Sequence, residues 1–154
     1  MQYIRHTVSL CILLFFGFSS CTKNLVEIEG ISLLNIDMAC FSFIDSQFII
    51  NDDTAYTVLL DYLKDSIACE NYQLPPIDFT ERSLLGKYTS GTGCTTFYWR
   101  YVYADLESQN YLYEITADID SFSCDPYVEK SSYNFIIVPK IPADYGVIFD
   151  VQYE

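Results

Sequence analysis

CTTFYWRYVYADLESQNYLYEITADIDSFSC, residues Cys94 to Cys124, is the stretch that decides how this chain folds. Two runs rich in aromatic and β-branched residues flank the polar Glu107-Ser108-Gln109-Asn110, and a cysteine closes each end. That pattern predicts a long β-hairpin. Pairing Glu107 with Tyr111 across a three-residue loop sets Trp99 opposite Ile119, Tyr101 opposite Ala117 and Tyr103 opposite Ile115, all on one face. The other face then pairs Arg100 with Asp118, a favourable cross-strand charge pair, and Val102 with Thr116. Cys94 falls opposite Cys124 in the same register. A slip by one residue would turn the apolar set of one strand away from that of its partner, which favours this parity. A slip by two keeps the faces and stays open. The odd-numbered face of Trp99, Tyr101 and Tyr103 is therefore expected in the core. Tyr98 and Arg100, on the opposite face, are the candidate binding surface.

Further β signals lie on both sides of the hairpin. Asn134–Val138 and Val147–Tyr153 read as strands, the second alternating Val147, Phe149 and Val151 against Ile148, Asp150 and Gln152. Upstream, Leu84–Thr89 reads as a strand and Ser90-Gly91-Thr92-Gly93 as a turn into the hairpin. That Gly-x-Gly lacks the Lys-Ser/Thr of a phosphate loop and leads into a strand, which excludes a nucleotide site. Pro75-Pro76 makes Gln73–Phe79 an extended connection. Tyr56, Leu59, Leu60, Leu63 and Ile67 recur on one face of an amphipathic helix over about 54–68, started by Asn51-Asp52-Asp53 as cap. Phe41–Ile50 reads as a strand, and Ile31–Ile36 as a loop or edge strand. The fold class expected is α+β: one antiparallel sheet of five or six strands, one helix on a face, stapled by disulfides.

Residues 1–20 stand apart. Arg5 precedes an apolar run from Val8 to Phe18, too short to span a bilayer as a helix but suited to a secretory signal peptide. Phe18-Ser19-Ser20-Cys21 resembles the lipobox of bacterial lipoproteins, with Phe18 where leucine is usual. The resemblance implies that Cys21 is lipidated, carrying acyl chains such as palmitate, and several chains anchor a protein stably where one does not. The alternative is an ordinary secretory signal with an incidental Cys21. By the same resemblance, Thr22 in place of Asp after the cysteine favours the outer membrane. Residues 21–30 read as a tether and 31–154 as a single domain.

Removing residues 1–20 leaves 134 residues with 7 basic and 21 acidic side chains, a net charge of −14. Nucleic acid is thereby excluded as a partner, because phosphate binding needs clustered Lys and Arg. His6, the sole histidine, leaves with the signal. No Ser-His-Asp or Cys-His centre and no histidine-held zinc or haem is then available. Carboxylate chemistry on a glycoside finds no singled-out pair of acids. Asp118, Asp120 and Asp125 lack the turn glycine of a calcium loop, so no cofactor and no metal is expected. Cys40, Cys69, Cys94 and Cys124 form an even set in an exported chain, without Cys-x-x-Cys spacing. Three pairings exist, and the hairpin favours Cys94 with Cys124 and Cys40 with Cys69.

Pro76-Ile77-Asp78-Phe79, Leu84-Leu85-Gly86, the glycine turn at Gly91 and Gly93, and Tyr133-Asn134-Phe135-Ile136-Ile137-Val138-Pro139-Lys140 follow one another in that order. From Phe48 onward this resembles the PrcB-like family, named for a bacterial lipoprotein that stabilises a surface protease complex. It is also similar to other lipoproteins of Gram-negative bacteria. The resemblance implies a small α+β domain that holds a protein partner without catalysis, and it carries over no catalytic residue. The four cysteines lie outside the family pattern. The function expected is thus a lipid-anchored, non-enzymatic envelope module that binds or stabilises a protein. The alternative is a small-ligand or glycan-binding lipoprotein, with tyrosines as stacking platforms.

Overall fold

Residues 24–33, 36–37, 46–65, 74–92, 94–120 and 129–154 are described by a computed structural model. In chain order the elements are β1 (Leu25–Ile28), β2 (Ile31–Ser32), β3 (Ile36–Asp37), β4 (Gln47–Ile50), α1 (Asp53–Asp65), β5 (Arg82–Thr92), β6 (Cys94–Asp105), β7 (Asn110–Asp120), β8 (Glu129–Pro139) and β9 (Gly146–Tyr153). The strands build two sheets where one was expected. The first runs β1-β6-β7-β9; the second runs β2-β8-β5-β4, with β3 also pairing β8. All pairings are antiparallel except β7 with β9, which is parallel.

Three layers follow from the alternation of side chains along β5 and β8. Leu84, Tyr133, Phe135 and Ile137 face α1, where they pack with Ile50, Tyr56, Leu59 and Phe79. Leu85, Ile136 and Val138 point the other way, into a second core with Val102, Ala104, Tyr111, Tyr113 and Ile115 of the four-stranded sheet. The five-stranded sheet is thus the middle layer and is buried on both faces. That is why Tyr133–Val138 carries no exposed position at all.

The helix begins where its cap was expected. Asp52 Oδ1 accepts the Ala55 N–H at 2.8 Å, satisfying one of the free donors of the first turn. Tyr56 and Leu59 are buried on the predicted face. Leu25–Ile28, expected in the tether, instead form β1 and pair with Val102–Asp105, so the ordered domain reaches further toward the N-terminus. Ser90–Thr92, expected as a turn, continue β5 against Glu129–Ser131. The β9 alternation holds: Val147, Phe149 and Val151 pack toward the inter-sheet core.

The hairpin itself is corrected. Asp105 pairs with Asn110, Tyr103 with Leu112, Tyr101 with Glu114 and Trp99 with Thr116, and a bulge interrupts the ladder between Thr95 and Phe97. This is the odd slip that the apolar pattern disfavoured. The loop explains it. Asp105 Oδ1 accepts the N–H groups of Glu107 (3.2 Å) and Ser108 (3.1 Å), and Gln109 takes a left-handed φ of 54°. A four-residue loop closed by an aspartate turn is thereby fixed, in place of a three-residue one. Tyr98, Arg100, Val102 and Ala104 consequently face inward, with Tyr111, Tyr113, Ile115 and Ala117 of β7. Arg100 opposes Ile115, not Asp118, and Val102 opposes Tyr113, not Thr116. Cys94 pairs through its backbone with Asp120. The bridges expected for Cys94, Cys124, Cys40 and Cys69 otherwise lie outside the described residues, as does Cys21.

Candidate functional site

Tyr98 and Arg100 do not form an exposed surface. Tyr98 packs against the inter-sheet core. The Arg100 guanidinium sits 5.7 Å from the Tyr98 ring centroid and donates its Nε–H to Asn134 Oδ1 at 3.0 Å. Burial lowers the Arg100 pKa, opposed by the neighbouring Tyr113 and Tyr98 hydroxyls. Asn134, fully buried, hands its Nδ2 to Thr89 Oγ1 at 3.0 Å, and its carbonyl accepts the Tyr113 hydroxyl at 3.2 Å. These contacts join two sheets through polar groups in their shared core, where each needs a partner. They are structural.

The face that the sequence placed in the core lies outside. On β6, Trp99 is 56% and Tyr101 38% exposed, and on β9 Ile148 is 51% exposed. The strand registers arrange this face in rows. Glu27, Tyr103, Leu112 and Ile148 make one row, Tyr101, Glu114 and Asp150 the next, and Trp99, Thr116 and Gln152 a third. Trp99, Tyr101 and Tyr103 form a ladder spanning roughly 13 Å at the usual rise of an extended strand. The Tyr101 and Tyr103 rings stack with centroids 6.4 Å apart and planes at 26°. Partial burial, then the Glu114 and Glu27 carboxylates, raises the Tyr103 pKa above its ordinary value. Among the described residues, this face contains no Lys or Arg.

The arrangement supplies aromatic faces and carboxylates on rigid strands. Among the described residues, no group of three or more His, Cys, Asp or Glu could hold a metal ion, and no helix is long and apolar enough to cross a membrane. A cleft of about 340 Å³, lined by Glu27, Ile28, Glu29, Ile31, Arg82 and Pro139, opens beside the Glu27 end of the face, where β1 gives way to β2. The signal that could have located the face was Asp105. An aspartate immediately before the four loop residues Leu106 to Gln109 sets the loop length, and the loop length sets the parity. Hydrophobicity does not decide, because Trp99, Tyr101 and Tyr103 are as apolar as Tyr98, Val102 and Ala104.

No family model, curated protein or solved structure matches the chain.

Proposed function

We propose that the protein is a lipid-anchored, non-catalytic module of the cell envelope that holds a protein partner on the outer face of β1-β6-β7-β9. The observation that carries this is the ladder of exposed Trp99 and Tyr101 with half-buried Tyr103 on a regular sheet. Aromatic side chains offer large, stiff contact area and are enriched where proteins meet. Keeping such side chains in water costs solubility unless something covers them. A partner-holding role is also what the resemblance of the Pro76–Phe79, Leu84–Gly86 and Tyr133–Lys140 motifs to PrcB-like domains implies. The Cys21 lipobox supports anchoring in the outer membrane, and Cys21→Ala then releases the protein from membranes or stalls its processing. Unchanged membrane retention overturns the anchor. Disulfides among Cys40, Cys69, Cys94 and Cys124 belong to the same proposal, since an exported chain keeps an even cysteine set oxidised; the register that favoured Cys94 with Cys124 is not the one found, because Cys94 stands opposite Asp120. Non-reducing peptide mapping that finds these four cysteines as free thiols overturns the disulfides.

Capture from envelope extracts tests the docking face. The wild-type protein retains a stoichiometric partner, and the double variant Trp99→Ala, Tyr101→Ala loses it. Equal retention by both overturns the face. A second reading, a neutral glycan on the same rings, is favoured by the stacked Tyr101 and Tyr103 and is tested on a glycan array.

A further inference from the structure

The outer face carries an unfavourable pairing. Glu114 on β7 and Asp150 on β9 are direct register partners, so two carboxylates stand side by side across adjacent strands. Like charges opposite one another destabilise a sheet. Glu27 adds a third carboxylate one row away, opposite Tyr103; the described residues of this face include no Lys or Arg, and Arg82 lines the cleft beside Glu27 and not the face itself. The Gln152 amide donates to Asp150 Oδ2 at 3.0 Å, which satisfies one oxygen and leaves the charge in place. Between and beside these acids lie the faces of Tyr101, Tyr103 and Trp99, and aromatic faces attract cations. Carboxylates flanking aromatic rings complement one kind of group.

We propose that the face takes a cationic partner: a Lys- or Arg-bearing segment of a protein, laid along β6, with its charges over the Tyr101 and Tyr103 rings and against Glu27, Glu114 and Asp150. This rests on the reading of the face as a protein-docking surface and names the chemistry of what docks. An extended segment places alternate side chains on one side at the same repeat as the ladder. A charge at every second residue therefore meets successive rings.

Trp99 is the only tryptophan in the chain and sits on this face, so its fluorescence reports arrival there. The test uses the purified full-length protein in detergent and a capped Arg-Ser-Arg-Ser-Arg-Ser peptide. A Glu-Ser peptide of equal length and cellohexaose serve as comparisons. The Arg peptide changes the Trp99 emission saturably, and the other two do not. Neutralising the face with Glu27→Gln, Glu114→Gln and Asp150→Asn weakens the Arg peptide about tenfold, the sum of several exposed charge pairs. Neutralising three acids elsewhere, with Asp53→Asn, Glu81→Gln and Asp144→Asn, changes it less than about twofold. Equal weakening by the two triple variants overturns the proposal, because net charge alone then explains binding. Saturation by cellohexaose with indifference to the Arg peptide also overturns it, in favour of a neutral glycan. Should the Arg peptide fail while Trp99→Ala, Tyr101→Ala still loses the captured protein, the charge assignment falls and the docking face stands. Should that double variant keep its captured protein, both fall.

Discussion

Arg100 on β6 donates its Nε–H to the side-chain oxygen of Asn134 on β8 at 3.0 Å, a hydrogen bond from one sheet to the other. Asn134 is fully buried and passes the connection on to Thr89 on β5. A buried polar group that loses its partner costs about 1–3 kcal/mol, so Asn134→Leu is expected to destabilise the protein by about 2 kcal/mol. Arg100→Met removes the other end at a similar cost. Because the two side chains share one interaction, the double variant costs less than the sum of the singles. Urea unfolding of the four proteins measures this. Strict additivity would show that the hydrogen bond couples nothing.

Gly86 on β5 faces Phe48 on the edge strand β4, and a Cβ at position 86 would run into the Phe48 ring. That ring also packs on Phe135 at 5.3 Å and Tyr133 at 6.4 Å, so it has little freedom to retreat. Gly86→Ala should gain backbone stiffness yet cost about 2 kcal/mol through overpacking. Adding Phe48→Leu recovers part of the loss, because the obstructing ring is gone. Thermal unfolding checks both. A Gly86→Ala protein as stable as wild type would mean that the ring yields freely.

What was legible in the sequence follows from which signals are local. The Asp52 cap and the Tyr56–Leu59 face depend on neighbours within a turn or two, and both are where periodicity puts them. The number of sheets is not local. Alternation tells which residues share a face, but not which of two layers that face meets. The continuous apolar run from Phe135 to Val138 was the available sign of a sheet covered on both sides. The β7 residues Ile115 and Ala117 were assigned to the core, and they are there. The β6 face comes out inverted because a three-residue loop from Glu107 to Tyr111 sets one parity, and the four-residue loop between Asp105 and Asn110 sets the other. The space between the sheets is already filled by Leu85, Ile136 and Val138. Opposite them the fold accommodates Val102 and Ala104, and sends Trp99 and Tyr101 outside. The candidate site was hidden by that same inversion.

Substitution on the two faces of β6 separates them. Tyr101→Ala on the outer face, where the ring is 38% exposed and stacks on Tyr103, should cost about 1 kcal/mol or less. Val102→Ala, one residue along and 1% exposed, should cost about 2 kcal/mol from lost burial and an unfilled space. The reverse ranking in chemical unfolding would restore the odd-numbered face to the core and remove the docking surface with it.

Alkaline pH should unfold this protein chiefly through the two tyrosines whose pKa values burial raises most, Tyr56 and Tyr113. The Tyr56 hydroxyl donates to the Pro75 carbonyl at 2.6 Å, and burial pushes its pKa up to about 12. Tyr113, with no exposed surface, is pushed still further from its ordinary value by burial, partly countered by Arg100. In the unfolded chain each ionises near its ordinary value of about 10. Above that pH the unfolded state has released protons that the folded state still holds, so stability falls as pH rises. The contribution is complete below about pH 10 and is lost as pH climbs through the folded value, about 12 for Tyr56. Tyr56→Phe and Tyr113→Phe each remove an ionisable group, so each should flatten the decline across that window relative to wild type. Urea unfolding at stepped pH, with tyrosinate absorbance followed in parallel, checks it. In wild type these two hydroxyls should ionise together with unfolding and not before it. A decline equally steep in both variants would show that other groups drive alkaline unfolding.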